Sequence, residues 1–230
     1  MNRLHQDIAQ PDLELAKWLA VATMAVDHYG KIVDETVFLE THAIGRVSFP
    51  LFAAIIGIRL AMRPELDARY LRYLVPWAIV SQPVFVLAGR DWHDGNILFT
   101  LALGVAATIV WRHRAAMRDL TFAGALAAIA AASVFVDFGP VGVAMIPATA
   151  YIVTRSGYAG LAAIGPMGLA ANMNAGWPPF DLVDLTALLA SPILMLSIKM
   201  KIRLPRLPTQ FFYAFYPGHL LALHLYDLYG

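Results

Sequence analysis

Nine apolar runs divide this chain, and its basic residues gather in alternate gaps between them. The runs cover roughly Leu13 to Tyr29, Ile44 to Met62, Tyr70 to Ala88, Asn96 to Trp111, Leu120 to Val136, Val141 to Thr154, Tyr158 to Ala171, Leu182 to Ile198 and Phe211 to Leu228. Most approach the ~20 residues a helix needs to cross about 30 Å of hydrocarbon. The sixth and seventh are short and rich in Gly and Pro, and are expected to be broken or tilted. Hydrophobic residues are 59% of the chain and charged residues 14%, at a mean hydropathy of +0.61. A soluble domain carries about a quarter charged residues. The expected fold is therefore all-α: one polytopic transmembrane bundle over residues 1–230, with about nine spans and a range of eight to ten.

The charges give the bundle a direction. Arg3 and Lys17, then Arg59, Arg63, Arg69 and Arg72, then Arg112, Arg114 and Arg118, then Arg155, and last Lys199, Lys201, Arg203 and Arg206 fall on one side. These are fourteen of seventeen basic residues; only Lys31, Arg46 and Arg90 fall on the other. Cationic loops stay in the cytoplasm. The N-terminus is accordingly expected inside, in a multi-pass membrane protein. The first run carries Lys17 and Trp18 with no small-residue cleavage site after it, so no cleaved signal peptide is expected. The chain has no cysteine, which excludes disulfides, thiolate nucleophiles and Cys-ligated metals, and no metal site is expected. The net charge of +1 gives no footprint for nucleic acid. No repeat or soluble domain interrupts the runs, so any chemistry belongs to the helices or their ends.

Polar residues at membrane depth need a reason to be there. Asp27 and His28 close the first run at its outer end, and neighbours in sequence do not face the same way on a helix. His28 has the imidazole suited to taking and returning a proton near neutral pH. Arg46 opens the second run and needs an acceptor, with Asp27 or Asp137 as candidates. Asn96 and Thr100 share one face of the fourth run, although Asn96 also suits a helix N-cap and Thr100 a backbone bond. Asn172, Asn174 and Asp181 flank a Gly176-Trp177-Pro178-Pro179 turn that reads as an outer loop. The ninth run carries Tyr213, Tyr216, Pro217, His219, His224 and Tyr226, with His219 near its middle. Asp27, His28, Arg46, Asn96, Thr100 and Asp137 are thus expected at one depth.

These residues lie in the segments Leu15-Ala16-Lys17-Trp18-Leu19-Ala20 running to Met24-Ala25-Val26-Asp27-His28, Gly45-Arg46-Val47-Ser48-Phe49-Pro50-Leu51-Phe52, Tyr70-Leu71-Arg72-Tyr73-Leu74, Asn96-Ile97-Leu98-Phe99-Thr100-Leu101, Asp137-Phe138-Gly139, and Phe215-Tyr216-Pro217-Gly218-His219-Leu220. In that order and spacing they resemble the TraX family of conjugative-pilin N-acetyltransferases, which implies a bacterial inner (cytoplasmic) membrane. Gly218 departs from the pattern, where a larger apolar residue is expected. The resemblance implies acetyl-CoA as donor and an amine or hydroxyl acceptor, such as a pilin N-terminus, reaching the site from the membrane or the outer side. It implies that His28 works on the acetyl group, as covalent carrier or general base. Asp27, Arg46, Asn96 and Thr100 would assist it, with Arg72, Asp137, Tyr216 and His219 contacting substrates. The competing expectation is a proton-coupled transporter or flippase using the same buried His, Asp and Arg, which broken helices favour.

The charge asymmetry makes a direct prediction. Cysteines introduced at Glu65 or Ala116 should resist an impermeant thiol reagent in intact cells and react after the membrane is opened. Labelling from outside at either position would invert the topology.

Overall fold

Ten α-helices account for most of the described residues, which are 12–175, 181–200, 202, 204–206 and 208–229 of a computed structural model. They are α1 (Glu14–Ile32), α2 (Phe38–Gly45), α3 (Ser48–Met62), α4 (Asp67–Leu87), α5 (Ile97–Arg112), α6 (Asp119–Ser133), α7 (Gly139–Ser156), α8 (Ile164–Ala175), α9 (Ala190–Met200) and α10 (Thr209–Tyr229). No strand occurs among the described residues; one isolated parallel bridge joins Gly95 to Val136. Three helical stretches, Glu35–Met62, Pro64–Leu87 and Leu182–Met200, are long and apolar enough to cross a bilayer, and α5 and α6 are shorter apolar helices. Large apolar side chains on them stand exposed, among them Ile79, Val80, Trp111 and Leu120. Such a surface belongs in lipid, as contiguous exposed apolar area is otherwise rare. The described residues are all-helical, with helices of the length and apolarity of a membrane protein.

The apolar runs and the helices differ in three places. The second run is preceded by α2, a separate helix turned over the end of α1, because Gly30 and Gly45 let it approach. A Cβ at Gly30 would strike the Thr41 side chain, and one at Gly45 the Asp27 side chain. The sixth run is a continuous α7 despite Pro147, whereas the seventh is broken: Gly157–Ala163 is 3-10 helix before α8 begins. The eighth run also starts as 3-10 helix, Leu182–Leu189, before α9. The Gly176–Pro179 turn lies outside the described residues, as do Arg3, Lys201 and Arg203.

The bundle is organised around α3 and α7. α3 is buried on nearly all sides, as expected of a helix that is apolar all round. α7 packs between α3 and α5. Both contacts run through glycine: a Cβ at Gly57 would lie 2.6 Å from Thr149 Cβ and 2.9 Å from the Ile146 carbonyl oxygen, and one at Gly104 2.8 Å from Ile146 Cδ1 and 2.9 Å from the Val143 carbonyl oxygen. Small residues at helix crossings are how membrane helices gain close van der Waals contact. The turn into α7 holds Phe138 in the left-handed region at φ 61°, followed by Gly139 at φ 55°. The Phe138 ring stacks on Phe49 at 3.9 Å, and its carbonyl accepts from Asn174 Nδ2. α4 and α10 complete the side away from α7: α10 packs on α1 and α4, and α4 on α5.

Gly57→Ala tests this packing with a reversed sign. In an open helix the change gains about 0.5–1 kcal/mol. Here the added methyl meets backbone, and overpacking costs about 1–3 kcal/mol. Thermal unfolding in detergent should show Gly57→Ala and Gly104→Ala as destabilised, and Gly124→Ala, with open space at its Cβ, as unchanged or gained.

Candidate active site

One stripe of α1 carries the chemistry. Lys17, Met24 and His28 recur at spacings of seven and four residues, which puts all three on one face. α10 presents a matching stripe of Phe212, Tyr216 and His219. Between these helices and α3, α4 and α5 lies a cavity of about 330 Å³. Lys17, Arg59, Arg63 and Arg69 line it at the end where α1, α4 and α10 begin and α3 finishes. Phe52, Ile55, Ile56, Leu101 and Tyr73 line its walls, and Met24, Ile97 and Tyr216 lie furthest from the cations along their helices. Lys17 is held at the mouth by Glu14, at 2.7 Å, and stands over the Phe212 ring.

The buried Tyr216 ring adjoins both histidines, 6.4 Å from the His28 ring and 6.0 Å from that of His219. His28 Nδ1 lies 2.6 Å from His219 Nε2, and His219 Nδ1 lies 2.7 Å from the Phe215 carbonyl oxygen. The sequence treats His219 as a separate, deeper histidine; the fold makes it the direct partner of His28. The signal for this is the pair of helical stripes, which place both histidines beyond the same cavity.

The other polar residues form separate clusters. Asp27 turns away from His28 towards α2, between Lys31 Nζ at 2.6 Å and His42 Nδ1 at 2.7 Å. Arg46 pairs with neither carboxylate suggested by the sequence. Its Nε lies 2.8 Å from Asp184 Oδ1, and its Nη1 donates to Asn172 Oδ1 at 3.3 Å. Asn172, read above as part of a loop, is fully buried on α8 and donates to the Arg46 and Gly168 carbonyls. Asn96 caps α5, accepting from Leu98 N, while its amide donates to the Ala78 carbonyl and Gln82 Oε1. Thr100 Oγ1 donates to the Asp137 carbonyl, pinning the turn before α7. The protons of Asn96 and Thr100 are thus engaged by the fold. The Asp137 carboxylate lies 3.8 Å from Arg90. Arg72 is exposed beside the Tyr73 ring and does not line the cavity, unlike Arg69 one turn earlier.

Residues 12–226 match a protein-family model described as "TraX protein". A protein named "Protein TraX" from Escherichia coli is 28% identical over 228 residues, covering 91% of this chain and 85% of that protein. Another "Protein TraX", from Escherichia coli strain K12, is 34% identical over 101 residues, 43% of this chain and 39% of that protein. No solved structure matches the chain.

The Arg46–Asp184 pair is testable as structure. Removing one partner of a buried pair costs about 3–5 kcal/mol, whereas replacing both with apolar residues is close to neutral. Asp184→Ala should lower thermal stability by that order. Arg46→Met combined with Asp184→Leu should recover most of it, a coupling that thermal denaturation of the singles and the double reads directly.

Proposed function

Because the chain belongs to the TraX protein family, we propose that it is an integral membrane acetyltransferase moving an acetyl group from acetyl-CoA to an acceptor amine or hydroxyl. The acceptor class suggested by the family resemblance is the N-terminus of a pilin. The observation that carries this reading is the cavity, cationic at one end and apolar along its length, whose far residue Tyr216 adjoins the histidine pair. The same reading takes the protein as a multi-pass protein of the bacterial inner membrane, with about nine spans and the cationic end in the cytoplasm, where CoA is.

In this mechanism Lys17, Arg63 and Arg69 hold the CoA phosphates, as clustered cations do. The apolar walls exclude water around the pantetheine arm, which strengthens every polar contact within. The thioester carbonyl comes to lie by Tyr216 and His28. The acceptor nitrogen or oxygen attacks that carbon while His28 takes the proton it loses. The Tyr216 hydroxyl donates to the tetrahedral oxyanion. The C–S bond then breaks, and the proton passes from His28 to the CoA sulfur. The products are the acetylated acceptor, CoA thiol and a neutral His28. Arg46, Asn96 and Thr100 support this site by fixing α3, α5 and the Asp137 turn, and Asp27 by anchoring α2 to α1.

Protein in lipid nanodiscs, given acetyl-CoA labelled in its acetyl group, should transfer label to an amine-bearing peptide acceptor. His28→Ala should lower kcat by at least about 10²-fold, the lower end of the range for losing a general base. Arg63→Ala and Arg69→Ala should raise the KM for acetyl-CoA severalfold with little change in kcat, and Arg72→Ala should change neither. Undiminished transfer by His28→Ala, or a donor KM raised only by Arg72→Ala, would sink these assignments.

A further inference from the structure

We infer that His219 is a positioning residue that, with the Phe215 carbonyl, keeps the ring proton of His28 on Nδ1 and leaves Nε2 as the nitrogen that acts on the substrate. The inference rests on the acetyl-transfer reading and adds what that reading leaves open, namely which nitrogen of His28 works and what holds it.

The assignment follows from what each partner can do. A carbonyl oxygen only accepts, so His219 Nδ1, 2.7 Å from the Phe215 oxygen, carries a proton. A neutral imidazole has one ring proton, so His219 Nε2 bears a lone pair. That lone pair lies 2.6 Å from His28 Nδ1, which must therefore donate. Nε2 is the remaining nitrogen of His28 and is unprotonated.

The ring geometry agrees. The two imidazoles are tilted by only 18° with centroids 4.9 Å apart. That separation suits rings meeting edge to edge in one plane through a nitrogen–nitrogen hydrogen bond. His219 is itself fixed, because its ring lies flat against Phe215, 4.7 Å away at 10°, one turn earlier on α10. Asp27 cannot perform this task, since both its oxygens are turned to Lys31 and His42. When His28 Nε2 takes a proton or an acetyl group the ring becomes cationic, and the His219 lone pair then accepts from a stronger donor. The arrangement serves both candidate mechanisms without a change of partner.

The test reads the tautomer and the kinetics separately. Protein labelled with ¹⁵N-histidine in bilayers gives distinct nitrogen shifts for protonated and bare ring nitrogens, and the His28 signals are those lost in His28→Ala. Nδ1 of His28 should appear protonated and Nε2 bare. His219→Ala should lose that preference and lower kcat about 10²-fold or more while the KM for acetyl-CoA stays within about twofold. His219→Gln, whose Oε1 can accept from His28 Nδ1, should keep the tautomer and at least about tenfold more activity than His219→Ala. A His28 protonated on Nε2 in the unaltered protein overturns the inference, whether or not the protein is active. So does full kcat in His219→Ala. Unaltered protein with the expected tautomer but no transfer to any acceptor would refute the enzyme reading, and with it the catalytic half of the inference.

Discussion

Within hydrocarbon a polar side chain has little but other protein groups to bond to, and this one restriction arranges the bundle. An unsatisfied charge there costs several kcal/mol, as much as a large part of a domain's net stability. The resulting pairings decide where helices meet. Asp27 reaches Lys31 on its own helix and His42 on α2. Arg46, between α2 and α3, is bound through Asp184 to the segment before α9 and through Asn172 to α8. His28 is bound to α10 through His219. Once these contacts are set, α2, α8 and α10 have little freedom to slide.

Packing divides the bundle into a tight half and an open half. Gly57 and Gly104 draw α3 and α5 against α7 until backbone touches side chain. No such glycine draws α10 onto α4 or α5, where Tyr70, Tyr73, Tyr213 and Tyr216 stand between the helices. Tyr73 and Tyr213, near-parallel at 15° with ring centroids 5.9 Å apart, fill the space between α4 and α10 and hold the two helices apart. The cavity is the space this leaves, and its position follows from where the sequence puts glycine and where it puts tyrosine.

Much of the helical framework was legible in the sequence, because apolar runs and the caps between them are local signals. Asn96 read correctly as a cap, and α1, α4, α5 and α10 fall close to their runs. α2 was hidden because eight residues with Glu40, Thr41 and His42 among them look like a loop; the close approach of Gly30 to Thr41 and of Gly45 to Asp27, with the His42–Asp27 pair, makes them a packed helix. The partners of the polar residues were hidden for a different reason. Arg46 meets Asn172 across 126 residues, and His28 meets His219 across 191. Depth can be counted along one helix, but the choice between Asp27, Asp137 and Asp184 depends on which helices are neighbours. The cavity cations illustrate the same point: Arg69 and Arg72 share a loop by sequence, and the turn between them decides which one faces inward.

The placement of Lys17 and His28 on a single straight face of α1 makes that helix a ruler. Eleven residues at 1.5 Å each set the two groups about 16 Å apart along the axis. If the protein transfers acetyl as proposed, a donor gripped by its phosphates at Lys17 reaches His28 only if its reactive carbon hangs on an arm of about that length. A small activated acetyl group, bound at the same cations, would stop several turns short. Selection for the donor's arm would then reside in the length of a helix, separate from the residues that act on the acetyl group.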